Sequence, residues 1–318
     1  MKNTISYDKF LKSVVFGTVL VVAAGLVFAP LLSTFNNSLS VLKSVSILPI
    51  VTSVIVTGLT FLIASTTYHM LARKSLQFHR TVLVSIANMF TGRLLPAGAG
   101  GIATFYLYLR HEKHTVSQAS SVVAANNLLG FVSHAGLLII LFVLSSTSFE
   151  GFAFPRVDPK IIVGMMLVVI VLTSIIGFRK KLHNKVTTVF KKVVKDLGYY
   201  RQHPSRIGGG IATSTLLTIC NATILWLCVL SVHGKLSLLA ALAVFSIGIV
   251  ASTLTPTPGG LGGIEAGLLA GLIGYQIPSQ VALAAVVLFR LVSYWLTLAL
   301  GAAVYAYILK RGYLHVAT

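Results

Sequence analysis

The chain has 318 residues, of which 56% are hydrophobic and only 10% are charged, and its formal net charge is +19. A soluble globular domain carries roughly 25% charged residues, so this composition excludes that class and favours a polytopic membrane protein. The basic residues fall between apolar runs, where membrane proteins carry their topology signals, which argues against a nucleic-acid partner. No Cys or His spacing typical of a metal site occurs in the sequence, and no cofactor is expected.

Apolar stretches long enough to cross a bilayer predict about six full spans. In chain order they are residues 11–32, 45–68, 117–144, 160–178, 206–231 and 279–309. Two further apolar stretches, 80–110 and 236–275, are broken in the middle by Pro and Gly, and each predicts a re-entrant hairpin or a pair of half-helices. We therefore expect an all-α polytopic membrane protein in which residues 1–318 form a single integral membrane domain.

The basic residues also predict an orientation. With both termini in the cytoplasm, the inner segments contain 19 Lys and Arg residues and the outer loops contain four. This asymmetry follows the positive-inside rule. The inner segments are 1–12, 69–80, 110–116, 179–206 and 310–318, and the outer loops are 33–44, 145–160 and 232–236. The basic segment 179–206 predicts either an amphipathic helix on the anionic inner leaflet or a solvated cytoplasmic loop.

The two broken stretches match each other at an offset of 162 residues. Residues 96–102 align without a gap with residues 258–264, Ser117-Gln118 aligns with Ser279-Gln280, and span 45–68 falls on 207–230. We expect a duplication, with repeat one at about 45–144 and repeat two at about 206–309, and the predicted orientation makes the two repeats inverted. Many secondary transporters have this architecture. The alternative is that Pro and Gly only allow close helix packing.

Charged residues near the breaks are the candidates for function. Glu265 is the only acid inside a predicted membrane segment, and Arg290 lies about 16 Å into the span that follows. An unpaired Arg at that depth costs roughly 2.5–3.5 kcal/mol on insertion scales, which predicts a Glu265–Arg290 ion pair. Two interpretations stay open: an anion site completed by Arg93, or a structural salt bridge. The predicted substrate-binding residues are Arg290, Glu265, Arg93, Asn88, Pro96, Gly100, Gly101, Pro258, Gly259, Gly260, Gly262, Gly263 and Asn127.

Several of these residues occur in motifs that resemble a known family. The motifs are Asn88 with Arg93, Pro96 and Gly100-Gly101, the run Pro256-Thr257-Pro258-Gly259-Gly260-Leu261-Gly262 followed by Glu265, and Phe289-Arg290-Leu291 with Tyr294-Trp295. From about residue 10 to 310 the chain resembles the lysylphosphatidylglycerol synthase transmembrane family, a flippase-like domain shared with aminoacyl-phosphatidylglycerol synthases. The resemblance implies movement of a lipid across the bilayer. It departs from the family at Asn126 and Asn127, near which members often carry an Arg.

The bifunctional members of that family carry a soluble aminoacyltransferase domain, which is not expected here because only eight residues follow Lys310. We therefore expect a lipid carrier without catalytic chemistry in a prokaryotic cytoplasmic membrane. An anionic or glycosylated head group would bind between the two hairpins. No Walker A motif occurs, so an ion gradient, a lipid gradient or a partner such as a lipid-modifying enzyme would supply the driving force.

Two other functions remain as alternatives. One is an enzyme, or its membrane subunit, for phospholipid modification of the aminoacyl-phosphatidylglycerol synthesis type, which would need a nucleophile or an acid/base pair. The other is a small-solute secondary transporter, which would need more polar side chains on the spans.

A cysteine introduced into a variant in which Cys220 and Cys228 are replaced by Ala tests the predicted orientation. We expect Lys235→Cys, in an outer loop, to react with a membrane-impermeant thiol reagent added to intact cells. Lys310→Cys, in an inner segment, serves as the control and should react only after the cells are opened. Labelling of Lys235→Cys from the cytoplasmic side alone would refute the inverted arrangement.

Overall fold

The structure, a computed structural model, describes residue 41 and residues 44–94, 98–144, 198–255 and 257–314. This part of the chain folds into nine α-helices, which confirms the all-α class. They are α1 Ile47–Leu71, α2 Phe78–Leu94, α3 Ala99–His111, α4 Val116–Leu144, α5 Pro204–Ser231, α6 Leu238–Leu254, α7 Gly263–Gly274, α8 Ser279–Arg290 and α9 Thr297–Lys310. A 3₁₀ turn, Pro258–Gly260, precedes α7, and a π-helical turn, Leu291–Leu296, joins α8 to α9.

Four of the described helical segments are long and apolar enough to cross a membrane. They are Ile47–Leu71, Val116–Leu141, Pro204–Ser231 and the continuous stretch Ser279–Lys310, and they coincide with four predicted spans. The other two predicted spans, 11–32 and 160–178, and residues 179–197 of the basic segment lie outside the described residues. Large apolar side chains cover the outside of the bundle: Leu48 is 77% exposed and Phe131 is 73% exposed. Such a surface suits lipid rather than water, so the protein is an integral membrane protein.

Both broken stretches form pairs of packed helices, as predicted. The first hairpin is α2 with α3, and the second hairpin is α6 with α7. Their shorter arms have 13 and 12 residues, which is about 20 Å of helix against a hydrocarbon core of about 30 Å. In the first hairpin Thr104 Oγ1 donates to Thr91 Oγ1 at 2.8 Å. In the second, a Cβ on Gly267 would lie 2.7 Å from the Ala251 Cβ, so small residues set the close approach of the arms.

The helices repeat along the chain. Unit one is α1 to α4 and unit two is α5 to α9. With α8 and α9 taken as the one continuous stretch Ser279–Lys310, the helix boundaries of unit two lie within five residues of the positions that the offset of 162 gives. The backbone at the breaks also agrees: the equivalent glycines Gly98 and Gly260 have φ angles of 68° and 66°, a left-handed conformation that favours glycine. One hydrophobic cluster centres on Tyr108 in unit one and also includes Ile308 of α9, and a second centres on Leu268 in unit two. The sides from which the hairpins enter the membrane stay a prediction.

The described parts of the predicted inner segments lie together at one end of the bundle. The Tyr200 hydroxyl donates to Leu71 O at 2.8 Å. Arg80 Nη1 is 3.5 Å from Glu112 Oε1, and the same guanidinium lies over the Tyr313 ring. These contacts join segments that are far apart in sequence, as expected if all of them face one aqueous side.

His114 is buried at this basic end. Its Nε2 accepts the backbone N–H of Lys74 at 3.2 Å, so the neutral tautomer has its proton on Nδ1, which lies 3.1 Å from Leu109 O. Burial lowers the pKa of His114, and the nearby Lys74 charge lowers it further. At the opposite end of the bundle, His233 Nε2 lies 2.9 Å from Ser44 O, which joins two of the predicted outer loops.

The two units contact each other through helices that lie far apart in sequence. Thr67 Oγ1 on α1 donates to Thr213 Oγ1 on α5 at 2.9 Å. The α9 helix meets α2 at Gly301, where a Cβ would lie 2.8 Å from both Ile86 O and Phe90 N. The last helix of unit two therefore packs against the first hairpin closely enough for the backbones of α9 and α2 to be in contact.

The close contact at Gly301 predicts a steric effect. We expect Gly301→Ala to lower the stability by about 1–3 kcal/mol, because the added methyl forces α2 and α9 apart. Gly58→Ala is the matched control, since nothing lies within 4 Å of its Cβ position, and it should be neutral or slightly stabilising. Thermal unfolding of the purified protein in detergent measures both, and equal unfolding midpoints for the two variants would contradict the contact.

Candidate functional site

The predicted ion pair between Glu265 and Arg290 is present. Arg290 Nε lies 2.7 Å from Glu265 Oε1, and Arg290 is only 8% exposed. Glu265 lies in the first turn of α7, where its Oε2 also accepts the Gly262 N–H at 2.8 Å, so the positive end of the helix dipole stabilises the carboxylate. The pair ties the second hairpin to the last membrane segment. Arg290 Nη2 is buried and has no hydrogen-bond partner within the described residues.

Arg93, at the end of α2, reaches from unit one to unit two. Its Nη1 donates to Tyr294 O and to Thr297 Oγ1, and its Nη2 donates to Ser293 O, each at 2.6 Å. Both carbonyl oxygens belong to the π-helical turn. In a π-helical turn the backbone hydrogen bonds join residues five apart, where an α-helix joins residues four apart. The change of spacing leaves carbonyl oxygens that can accept hydrogen bonds from other parts of the protein. Arg93 is therefore held by the protein through three charge-assisted hydrogen bonds.

Tyr294 connects the two arginines. The Cζ atoms of Arg290 and Arg93 lie 4.2 Å and 4.6 Å from the centroid of its ring, within the range of cation–π attraction. The turn of the second hairpin packs on the same ring, since a Cβ on Gly259 would lie 2.6 Å from Tyr294 Cε2. Tyr294 is not among the residues predicted for the site. The sequence does contain a signal for Tyr294: it follows Arg290 by four residues, so both side chains lie on the same face of the helix.

A cavity of about 400 Å³ lies in unit one, bounded by α1 to α4 with Leu217 from α5. Its polar lining is Tyr68, Ser85, Asn88, Arg93, Asn126 and Asn127. Asn88 Oδ1 is buried and accepts no hydrogen bond from any residue that the structure describes. The lining residues Ile102 and Asn127 are exposed, so the cavity opens between α3 and α4. Its volume is within the range of about 300–1,000 Å³ that is typical of small-molecule sites.

The predicted site residues fall into two groups. Asn88, Arg93, Gly101 and Asn127 line the cavity, while Glu265 and Arg290 lie in the ion pair, and none of the described residues of the second hairpin lines the cavity. The two groups meet where Arg93 contacts Tyr294.

The remaining predicted residues shape the hairpins. A Cβ on Gly100 would meet Thr91 O, and one on Gly263 would meet Thr255 Oγ1, so both are positions of close packing. Pro258 and Gly260 form the 3₁₀ turn, and Gly262 is the N-cap of α7. Pro96 lies outside the described residues. Within the described part of the chain, no group of three or more His, Cys, Asp or Glu side chains could hold a metal ion.

Residues 11–301 match the protein family described as the lysylphosphatidylglycerol synthase transmembrane region, which covers most of the chain. The chain belongs to this family. No match is found among curated proteins. As a member of the lysylphosphatidylglycerol synthase transmembrane family, the chain is a membrane protein linked to lipid handling, and both groups of site residues lie within the matched region.

The buried ion pair predicts coupled effects on stability. We expect Glu265→Gln to destabilise the protein by about 3–5 kcal/mol, because it leaves the Arg290 charge without a counter-charge. Arg290→Gln should act in the same direction. The double variant should lose about 1–3 kcal/mol less than the sum of the two, as measured by denaturant unfolding in detergent.

The ion pair at the basic end provides a comparison for that cycle. The Glu112 side chain is as buried as that of Glu265, at 15%, but its partner Arg80 is 30% exposed against 10% for Arg290 and lies 3.5 Å away against 2.7 Å, so Glu112→Gln should cost less than Glu265→Gln. Strictly additive losses for Glu265→Gln and Arg290→Gln would mean that the two side chains do not interact in the membrane protein.

Proposed function

We propose that this protein carries a lipid across the bilayer by holding its polar head group inside the protein while the acyl chains stay in the membrane. The observation that carries the proposal is the cavity in unit one, which places amide and hydroxyl groups inside an apolar bundle and opens between α3 and α4. A polar head group that crosses hydrocarbon loses its hydrogen bonds to water, and buried polar side chains can replace them.

The depth of the polar groups supports this role. Asn127 lies 11 residues after the first residue of α4, and Arg290 lies 11 residues after the first residue of α8. At 1.5 Å per residue both are about 16 Å into the membrane, close to the middle of a hydrocarbon core of about 30 Å. We therefore expect the cavity and the ion pair to lie where a head group in transit has no water on either side.

The charges support a lipid that contains a phosphate. Arg93, Arg290 and Glu265 are the charged side chains at this depth among the described residues, and together they leave one positive charge in excess. Arg290 can exchange Glu265 for a phosphate, and its unpaired Nη2 can donate to a second phosphate oxygen. In this exchange the guanidinium keeps a partner in both states, which avoids the cost of an unpaired buried charge. Glu265 keeps its hydrogen bond from Gly262 N.

A protein of phospholipid modification would use the same cavity differently. It would hold the head group for a reacting partner and would not need to move it between leaflets. A small-solute transporter would move a molecule that has no acyl chains. Leaflet exchange of a lipid separates the proposed carrier from both alternatives.

Leaflet exchange can be measured in liposomes that contain the purified protein and fluorescent phospholipids, with a membrane-impermeant reductant that bleaches the outer leaflet. We expect the wild type to bring inner-leaflet lipid to the reductant and Arg290→Ala to slow this by about tenfold or more, which corresponds to the loss of about 1.4 kcal/mol of head-group binding. Lys235→Ala is the control, because this lysine is exposed in a loop at the end of the bundle, and it should behave as wild type.

Equal exchange by wild type and Arg290→Ala would show that the arginine site is not used. Absence of exchange in the wild type would contradict the carrier function itself. Binding of the lipid without exchange would favour the lipid-modification alternative. Uptake of a free polar solute would favour the small-solute transporter.

A further inference from the structure

Arg93 is a cation without a counter-charge in the part of the chain that the structure describes. Its three short hydrogen bonds go to two backbone carbonyl oxygens and one hydroxyl, all of them neutral. The described residues contain two carboxylates, and each of these already pairs with another arginine. Because charges interact strongly in a low-dielectric interior, an uncompensated guanidinium at this depth favours the binding of an anion.

Arg93 can reach a ligand in the cavity that it lines. Its Nε–H makes no hydrogen bond to a described residue, and, unlike Arg290 Nη2, this nitrogen is not fully buried. The Nη groups can also leave the π-helical turn at small cost. The Thr297 hydroxyl donates to Ser293 O at 2.8 Å and to Tyr294 O at 3.1 Å, so both carbonyl oxygens keep this shared donor when the guanidinium turns to an anion.

Three uncharged side chains supply further donors to the same cavity. Asn126, Asn127 and Tyr68 line it, and their side chains make no hydrogen bond to any residue that the structure describes. Tyr68 is only 7% exposed, so its unpaired hydroxyl gains from a bound acceptor. The described lining residues include no carboxylate. One cation with several N–H and O–H donors, and no fixed negative charge, is a donor set that suits a phosphate.

Unit two contains an anion of its own at the corresponding helix. At the start of α7, Glu265 accepts the Gly262 N–H at 2.8 Å and pairs with Arg290. The offset of 162 places Ala103 at the position of Glu265. The first turn of α3 contains no acidic residue, and its N-cap Gly98, which lines the cavity, has no side-chain acceptor. The positive end of α3 therefore borders the cavity without a carboxylate to match it.

We propose that the cavity of unit one binds a phosphate, which acts there as the counterpart of the Glu265 carboxylate in unit two. Arg93 supplies the charge, and the two carboxamides of α4 and the start of α3 supply hydrogen bonds. Two sources offer this group: the phosphodiester of a membrane lipid and a free phosphate ion. The lipid as the source rests on the proposed function. In that function the cavity is a second phosphate site beside Arg290, since both arginines lie against the Tyr294 ring.

Equilibrium binding to the purified wild-type protein in an uncharged polyoxyethylene detergent tests the site. The probes are dioctanoyl phosphatidylglycerol, dioctanoylglycerol, which has the same acyl chains and no phosphate, and dimethyl phosphate, a free phosphodiester. We expect phosphatidylglycerol or dimethyl phosphate to bind about tenfold or more tightly than dioctanoylglycerol, as charge-assisted hydrogen bonds can provide. Binding of phosphatidylglycerol without dimethyl phosphate identifies the lipid as the source, and equal or tighter binding of dimethyl phosphate identifies a free phosphate.

A matched pair of variants at Gly98 locates the binding in the cavity. Nothing lies within 4 Å of a Cβ at this position, and its φ angle of 68° is one that Asp and Asn tolerate better than most residues. Gly98→Asp adds a carboxylate at the start of α3, as Glu265 does for α7, and should weaken phosphate binding about tenfold or more. Gly98→Asn has a similar shape and the same backbone strain without the charge, and should retain the preference for phosphate.

A second variant removes the cation itself. Arg93→Gln should abolish the preference for phosphate, and the Gly98 pair decides the matter where Arg93→Gln does not fold. The control is Arg80→Gln, because Arg80 pairs with Glu112 at the basic end and does not line the cavity.

The inference is overturned if neither phosphodiester binds more tightly than dioctanoylglycerol, or if Gly98→Asp and Arg93→Gln both retain the preference for phosphate. Equal weakening by Gly98→Asp and Gly98→Asn also overturns it, because the charge then has no part in the effect. Since binding is measured without membrane crossing, phosphate binding in a protein that shows no leaflet exchange refutes the carrier function alone. Leaflet exchange in a protein without this phosphate preference refutes the cavity site alone.

Discussion

A guanidinium group inside a bilayer needs partners from the protein, and two such groups organise the centre of this molecule. Arg290 is paired with Glu265, which in turn is held at the start of α7 by Gly262. Arg93 is paired with the carbonyl oxygens of the π-helical turn. Those oxygens would themselves be costly if they were left unpaired in hydrocarbon. Arg93 and the Thr297 hydroxyl together supply donors to the irregular backbone, which in turn supplies acceptors to the buried charge. Tyr294 lies against both arginines.

The two units share a backbone plan but differ in chemistry. Their breaks have the same left-handed glycine, at Gly98 and at Gly260. At the depth where unit two carries Arg290, unit one carries Asn126 and Asn127. The result is the Glu265–Arg290 pair in unit two and, in unit one, a cavity whose polar lining contains three carboxamides and one cation, Arg93. A duplicated fold can thereby offer different surroundings to different parts of one amphipathic ligand.

Features encoded locally could be predicted from the sequence, and features made by long-range packing could not. Apolar length gave the spans, Pro and Gly gave the hairpins, and a lone acid near a deep arginine gave the Glu265–Arg290 pair. The π-helical turn has no comparable signal, because residues 291–296 look like ordinary apolar helix. The bonds of Arg93 to Ser293 and Tyr294 depend on how α2 packs on α9, about 200 residues along the chain. The cavity likewise arises where four helices leave space between them, and no local sequence pattern predicts such a space.

The contact of the first hairpin with α9 has a mechanical consequence. Inverted-repeat carriers commonly alternate access by rocking one structural part against another. Here, separating unit one from unit two as whole bodies would break three hydrogen bonds of Arg93 and the backbone-distance contact at Gly301. We therefore expect the first hairpin and the last helix to stay together in any such motion. For the carrier proposed above, we therefore expect any change of access to occur within each repeat, between a hairpin and its own neighbouring spans, and not at the boundary between the two units.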